Sequence, residues 1–182
     1  MIHSTNIRQL FSNKACSTPQ QEYGYKFFVL EEKAPNSKLK KFKIIGVSDD
    51  ALLIKTDYSK PLNKLLGNDD IKKRCDYILF TSFNNYDYIV LVELKSERVS
   101  KSYVNNQLKG GGALTRYFEG LLSFFYNTNN CFEEYHFKRL LFYYEPIPKT
   151  SPHWVLDEDG ITPLFYAYPN PQNPPLSELI QS

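Results

Sequence analysis

The stretch that decides the reading runs from Cys75 to Lys95: Cys-Asp-Tyr-Ile-Leu-Phe-Thr-Ser-Phe-Asn-Asn-Tyr-Asp-Tyr-Ile-Val-Leu-Val-Glu-Leu-Lys. Two apolar, β-branched and aromatic runs flank Asn84-Asn85, which is the pattern of a β-hairpin. A turn centred on those asparagines places Asp76 opposite Glu93. Directly opposed residues project to one side of a sheet, with Cβ atoms roughly 5 Å apart. Lys95 joins that side because strand side chains alternate with period 2. Two carboxylates and an ammonium therefore converge at one end of the strand pair.

Working outward, Lys101 to Tyr126 is the longest helical pattern, with Val104, Leu108, Leu114, Phe118, Leu121, Leu122 and Phe125 at three- and four-residue steps. Gly110-Gly111-Gly112 lies inside it. Each glycine costs roughly 1 kcal/mol in a helix interior, so the helix either breaks there or lets a backbone approach closely, a DNA backbone being one possibility. Phe137 to Tyr144 reads as a strand, and strand-helix-strand favours a parallel neighbour. Upstream, residues 4 to 12 form a short helix. Strands are expected at 26–31, 41–47 and 51–56, with Asp49-Asp50 turning between the last two. Residues 58–73 form a helical turn or a loop over the sheet. Beyond Glu145 the chain is Pro-rich, with one edge strand near Leu164 to Tyr168 and a tail after it.

The whole chain has 182 residues, 42% hydrophobic and 23% charged, which suits one globular domain. Residues 1–145 are expected to make the domain, and 146–182 a Pro-rich extension packed on it or trailing from it. The 14 Tyr and 13 Phe fit a Tyr-rich core and rim, or an interface or base-stacking surface. A net charge of +2 neither demands nor excludes nucleic acid. Lys33, Lys38, Lys40, Lys41 and Lys43 read as a solvated face. Lys72, Lys73 and Arg74, beside Asp76, read as a phosphate contact. Three scattered cysteines imply reduced thiols and a cytoplasmic setting. Three distant histidines argue against zinc. No secretory signal is visible, and no run approaches the ~18 apolar residues that span a bilayer.

Two carboxylates with a backbone carbonyl suit Mg²⁺, which takes oxygen ligands, keeps waters and completes its shell with phosphate oxygens. An adjacent lysine suits orienting or deprotonating an attacking water and balancing charge on phosphorus. Together they suit phosphodiester hydrolysis.

Asp76, then Glu93-Leu94-Lys95 closing an apolar strand, resembles the PD-(D/E)xK nuclease superfamily over roughly residues 4 to 145. Cys75 stands where that family often has Pro. The resemblance implies an α/β (α+β) fold with a mixed central sheet, the restriction-endonuclease-like αβββαβ core. It implies Asp76, Glu93 and the Leu94 carbonyl as ligands of Mg²⁺ or Mn²⁺, with Lys95 positioning and activating water. It implies a further acid upstream, for which Glu22 is the first candidate and Glu31, Glu32 and Asp57 the next. It implies a Gln or Tyr on the following helix, for which Gln107 and Tyr103 qualify, Gln107 in the catalytic set and Tyr103 towards nucleic acid. The implied function is a metal-dependent nuclease on DNA, with RNA as a further substrate to test and endonuclease favoured over exonuclease. Restriction or anti-phage defence, junction resolution, a homodimer, or the nuclease subunit of a larger complex all fit. The alternative is a non-catalytic module of the same fold that binds nucleic acid or a protein.

Overall fold

The computed structural model describes residues 4–32, 36–39, 41–56, 72–97, 99–128, 131–146, 150–158 and 163–181. Its centre is the hairpin of β6 (Tyr77–Phe83) and β7 (Tyr86–Lys95). Asn84 and Asn85 have φ of 49° and 67°. Both central residues in the left-handed region define the two-residue hairpin turn whose twist matches the flanking strands. Tyr77 pairs with Val92 and Phe83 with Tyr86, so the next rung beyond the ladder sets Asp76 against Glu93, the register expected from the turn.

Among the described residues, seven strands form a mixed sheet. Besides β6 and β7 these are β1 (Cys16–Ser17), β5 (Leu52–Lys55), β8 (His136–Tyr143), β9 (His153–Leu156) and β10 (Pro163–Pro169), in the order β1-β5-β6-β7-β8-β10-β9. β8 runs parallel to both β7 and β10; the other pairings are antiparallel. The fold is α+β. The strand expected at the edge, near Leu164 to Tyr168, lies inside the sheet between β8 and β9. Its alternation fits any sheet position with two covered faces, and only the return of β9 decides that it is interior.

A second sheet holds β2 (Gln20–Glu22), β3 (Tyr25–Glu31) and β4 (Lys41–Ile45). Asp49-Asp50 therefore does not close a β4–β5 hairpin: β4 pairs with β3, and β5 with β1 and β6. Gly46, at φ 81°, begins the connection that carries the chain from one sheet to the other. The Tyr77 hydroxyl clamps the sheets together, donating to the Glu31 carbonyl at 2.9 Å and accepting from the Glu31 N–H at 3.3 Å.

The main sheet is apolar on both faces because both are covered. Ile78, Phe80, Ile89 and Leu91 face α1 (Ser4–Gln9) and α2 (Lys101–Tyr126). Tyr77, Leu79, Val90, Val92 and Leu94 face the small sheet and α3 (Leu176–Gln181), which buries Leu176, Leu179 and Ile180. The C-terminal segment thus supplies strands and a helix to these same two cores.

α2 is unbroken through Gly110–Gly112. Ser100 caps its start, accepting from the Tyr103 N–H, and Asn127 in left-handed conformation ends it. A Cβ on Gly110 would collide with the Lys73 carbonyl, and one on Gly111 with Cys75 Sγ. The close approach is to the chain's own Lys73–Cys75 segment. Gly110→Ala and Gly111→Ala are each expected to lose about 1–3 kcal/mol, because rigid backbone and a buried thiol must shift. Gly120 has open space around it, so Gly120→Ala is expected to gain up to about 1 kcal/mol of helix propensity. Thermal melts of the three variants check the signs; a stabilised Gly110→Ala would refute the packing account. Residues 58–71, read as a turn or covering loop, lie outside the described residues.

Candidate active site

The cluster is built where β6 begins and β7 ends. Thr56, just past β5, donates its hydroxyl to the Cys75 carbonyl and its N–H to the Asp76 carbonyl at 3.1 Å. Gly110 and Gly111 let α2 press directly on the same segment. Asp76 is thus held from both sides at the mouth of β6. Its carboxylate substitutes for the next rung of the ladder: Oδ2 accepts from the Leu94 N–H at 2.7 Å. An ionised carboxylate accepting a backbone N–H makes a charge-assisted, comparatively strong bond.

Glu93 projects to the α2 side of the sheet and is 1% exposed. Lys95 lies on the same side, with Nζ 2.6 Å from Glu93 Oε1. That is an ion pair by distance, yet neither Glu93 oxygen has a hydrogen-bond donor in good alignment. Burial pushes the Glu93 carboxyl up to about 8, the Asp76 charge adds to the rise, and Lys95 with the Asp76 backbone N–H opposes it. Burial pulls the Lys95 ammonium down, but Glu93, then Asp76 and Tyr103, outweigh it, so Lys95 titrates above an ordinary lysine. A buried carboxyl without aligned donors is under-satisfied.

No protein-family model, curated protein or solved structure matches this chain. The reading of the site therefore rests on its own chemistry.

The expected helix residues are brought to the cluster. Tyr103, 39% exposed, has its ring 5.2 Å from Lys95 Nζ and 5.3 Å from Lys73 Nζ. Both ammoniums sit within cation–π range of one ring. Gln107 Nε2 donates to the Tyr103 hydroxyl at 3.1 Å, one helical turn away. Gln107 Oε1 is buried without a partner. The basic run before the hairpin divides. Lys73 joins Tyr103, whereas the Arg74 guanidinium folds back to the Lys73 carbonyl at 2.7 Å and is held below an ordinary arginine by burial. Lys72 is half-buried just ahead of them.

Glu22 is not brought to the cluster. It pairs with Lys43 at 2.5 Å on the small sheet. Its cross-strand partner Tyr25 opens β3, whose other end, Glu31, meets Tyr77 beside the site. Six strand steps separate those ends, roughly 20 Å. The local sequence offered an acid ahead of a strand, but strand direction puts it at the wrong end. Glu31 and Glu32 are at the right end, and each has another engagement. Glu31 pairs with Lys41 at 3.5 Å. Glu32 accepts from the hydroxyls of Ser96 at 2.5 Å and Ser37 at 2.9 Å. Ser96 was not anticipated; it ties the end of β7 to the segment after β3, and a lone serine carries no signal of such a tie. Asp57 lies outside the described residues. Among the described residues no group of three or more His, Cys, Asp or Glu side chains is arranged to hold a metal.

Of the first lysine cluster, Lys41 pairs with Glu31, Lys43 with Glu22 and the Phe27 ring at 4.1 Å, and Lys38 lies 6.0 Å from the Tyr144 ring, while Lys33 and Lys40 lie outside the described residues. Cys75 is fully buried, and burial pushes its thiol well up, so it serves as core packing. No helix among the described residues is long and apolar enough to cross a membrane.

Two opposed carboxylates, one with both oxygens buried and poorly donated to, suit a hard cation that brings its own waters. As oxygen donors the residues fit Mg²⁺ or Mn²⁺, which Asp76 and Glu93 would hold with most of the shell left to other ligands.

Proposed function

We propose that this chain is a metal-dependent phosphodiesterase acting on DNA, an endonuclease on a restriction-endonuclease-like core. One observation carries the reading: Asp76 and Glu93 oppose each other at the strand end, with the Lys95 ammonium on Glu93. The mixed sheet with a hairpin, a long helix and a parallel strand in succession supports the core assignment.

Asp76 and Glu93 would hold the cation, with the Leu94 carbonyl as the third protein ligand. When bound, the cation supplies Lewis-acid polarisation of a phosphate oxygen and acidifies a coordinated water. Lys95 is held charged by its surroundings, so it acts as a donor and positive charge. It orients the attacking water and offsets charge developing on phosphorus. Deprotonating that water would require a neutral amine, which the two acids disfavour. The Tyr103 ring steadies Lys95 from the helix side, and Gln107 fixes the Tyr103 hydroxyl. Lys73, over the same ring, offers a second cation to a phosphate.

The test uses plasmid, linear duplex and single-stranded DNA with Mg²⁺ or Mn²⁺, beside a thermal melt with and without Mn²⁺. Cleavage by the wild type and none by Asp76→Asn is expected. Mn²⁺ is expected to raise the melting temperature by several degrees in the wild type only, since a ligand of the folded state stabilises by mass action. DNA binding with no turnover, and no Mn²⁺ shift, would replace this reading with a non-catalytic binding module.

A further inference from the structure

A cavity of about 350 Å³ opens on the α2 side of the sheet. Its position follows from register. Glu93 pairs with Leu141, Leu141 with Ala167, and Ala167 with His153, while Lys95 pairs with Tyr143. Leu141, Tyr143, Phe165 and Ala167 all line this cavity and belong to the core that faces α2. The cavity is therefore on the face that carries Glu93 and Lys95, centred about two strand spacings away, roughly 10 Å.

We propose that this cavity receives an unpaired nucleobase of the strand being cut, within a nucleotide or two of the scissile phosphate. The proposal rests on the phosphodiesterase reading and names its substrate class: DNA with unpaired nucleotides at the cut, such as single strands, flaps and overhangs.

The chemistry of the lining supports a base. The floor is apolar, with Ala167 as its smallest residue, and suits a flat ring. The rim is polar, with Lys101 at the start of α2 and His153 at the far edge. His153 Nδ1 sits 2.8 Å from the Ser151 carbonyl. In the neutral ring that contact places the proton on Nδ1 and leaves Nε2 as an acceptor. The Tyr143 hydroxyl is 2.9 Å from the Thr150 hydroxyl, which donates to Glu145 at 2.8 Å, so the wall is fixed by its own bonds. None of the described residues that line the cavity is an acid, and Lys101 offers a phosphate contact. A base in a duplex is stacked and paired and must be extruded before it can enter such a pocket. An unpaired base has no such barrier.

Fluorescence anisotropy in EDTA tests binding without chemistry, using a labelled short single strand, the matching duplex, and the duplex with a short overhang. The wild type is expected to bind the single strand and overhang more tightly than the blunt duplex. Ala167→Leu, which narrows the cavity, is expected to weaken those two about tenfold, in line with the loss of one base contact, and to leave the duplex unchanged. His153→Ala, at the rim, gives the same test should Ala167→Leu fail to fold. Equal binding of single strand by wild type and His153→Ala, or a preference for blunt duplex, would overturn the proposal. Cavity-dependent binding without cleavage in Mn²⁺ would remove the phosphodiesterase reading alone. Cleavage indifferent to both variants would remove the base pocket alone.

Discussion

Glu93→Gln is expected to lower cleavage by on the order of 10³ or more, the scale of losing a group that acts directly at the reacting centre, while making the metal-free protein more stable at pH 8. The two effects share one cause. The Glu93 carboxyl is buried beside Asp76 and is pushed up to about 8 from an ordinary 4.5. Between those values the folded protein holds a proton that the unfolded chain has released. Stability therefore falls as pH rises from about 4.5 to about 8, and flattens above that for this group. The slope approaches about 1.4 kcal/mol per pH unit, and the whole window amounts to a few kcal/mol. Gln removes the ionisation and keeps the shape, so its advantage over the wild type should be small at pH 5 and largest at pH 8 and above. At roughly 2–4 °C per kcal/mol for a chain of this length, melts in EDTA at three pH values resolve it. Mn²⁺ should close the gap by restoring the wild type. Parallel pH profiles for the two proteins would mean that Glu93 is not under this strain and that the carboxylate pair is not poised for a cation.

Lys95→Ala is expected to remove cleavage to a similar extent and to act on stability in the opposite sense. Lys95 titrates above its ordinary value, chiefly because of Glu93 against the opposing pull of burial. Its contribution to stability is present below the ordinary lysine value and lost as pH rises through the raised one. Within that range the pair strengthens once Glu93 ionises. Lys95→Ala should thus cost little at pH 6, where Glu93 is protonated in both proteins, and about 1–3 kcal/mol at pH 9, where a buried carboxylate loses its counterion. Without the ammonium Glu93 rises above about 8, so cation binding should shift to higher pH as well. Melts across pH 6 to 9 and a Mn²⁺ titration at each pH read both effects. A stability loss independent of pH would indicate lost packing of the lysine stem against Tyr103 rather than an ion pair. Lys95→Met, which keeps the stem, separates the two: it should lose cleavage yet recover most of a packing loss.

Tyr103 and Gln107 were legible because positions three and four apart share a helix face, and the end of β7 leads directly into that helix. Glu22 was misplaced by the same kind of local reasoning. Its proximity in sequence to β3 says nothing about which end of β3 meets β7. The glycine run was legible as a close approach but not as an approach of the chain to itself, since its partner, Lys73 to Cys75, lies more than thirty residues upstream.

The sequence by itself determined the hairpin, its register and the convergence of Asp76, Glu93 and Lys95. The reason is local: Asn84-Asn85 accepts left-handed φ at both turn positions, and one residue of slip would turn every side chain to the other face. It also determined α2, through apolar periodicity. Only the tertiary structure decided that β3 and β4 leave the main sheet, that β10 enters its interior, and that Glu93 is buried enough to hold its proton near neutral pH. Strand alternation is compatible with many neighbours, so pairing partners are chosen by the packing of distant segments. A carboxyl's charge state depends on what surrounds it from every side, and here that surrounding comes from α2, β6 and β8 together.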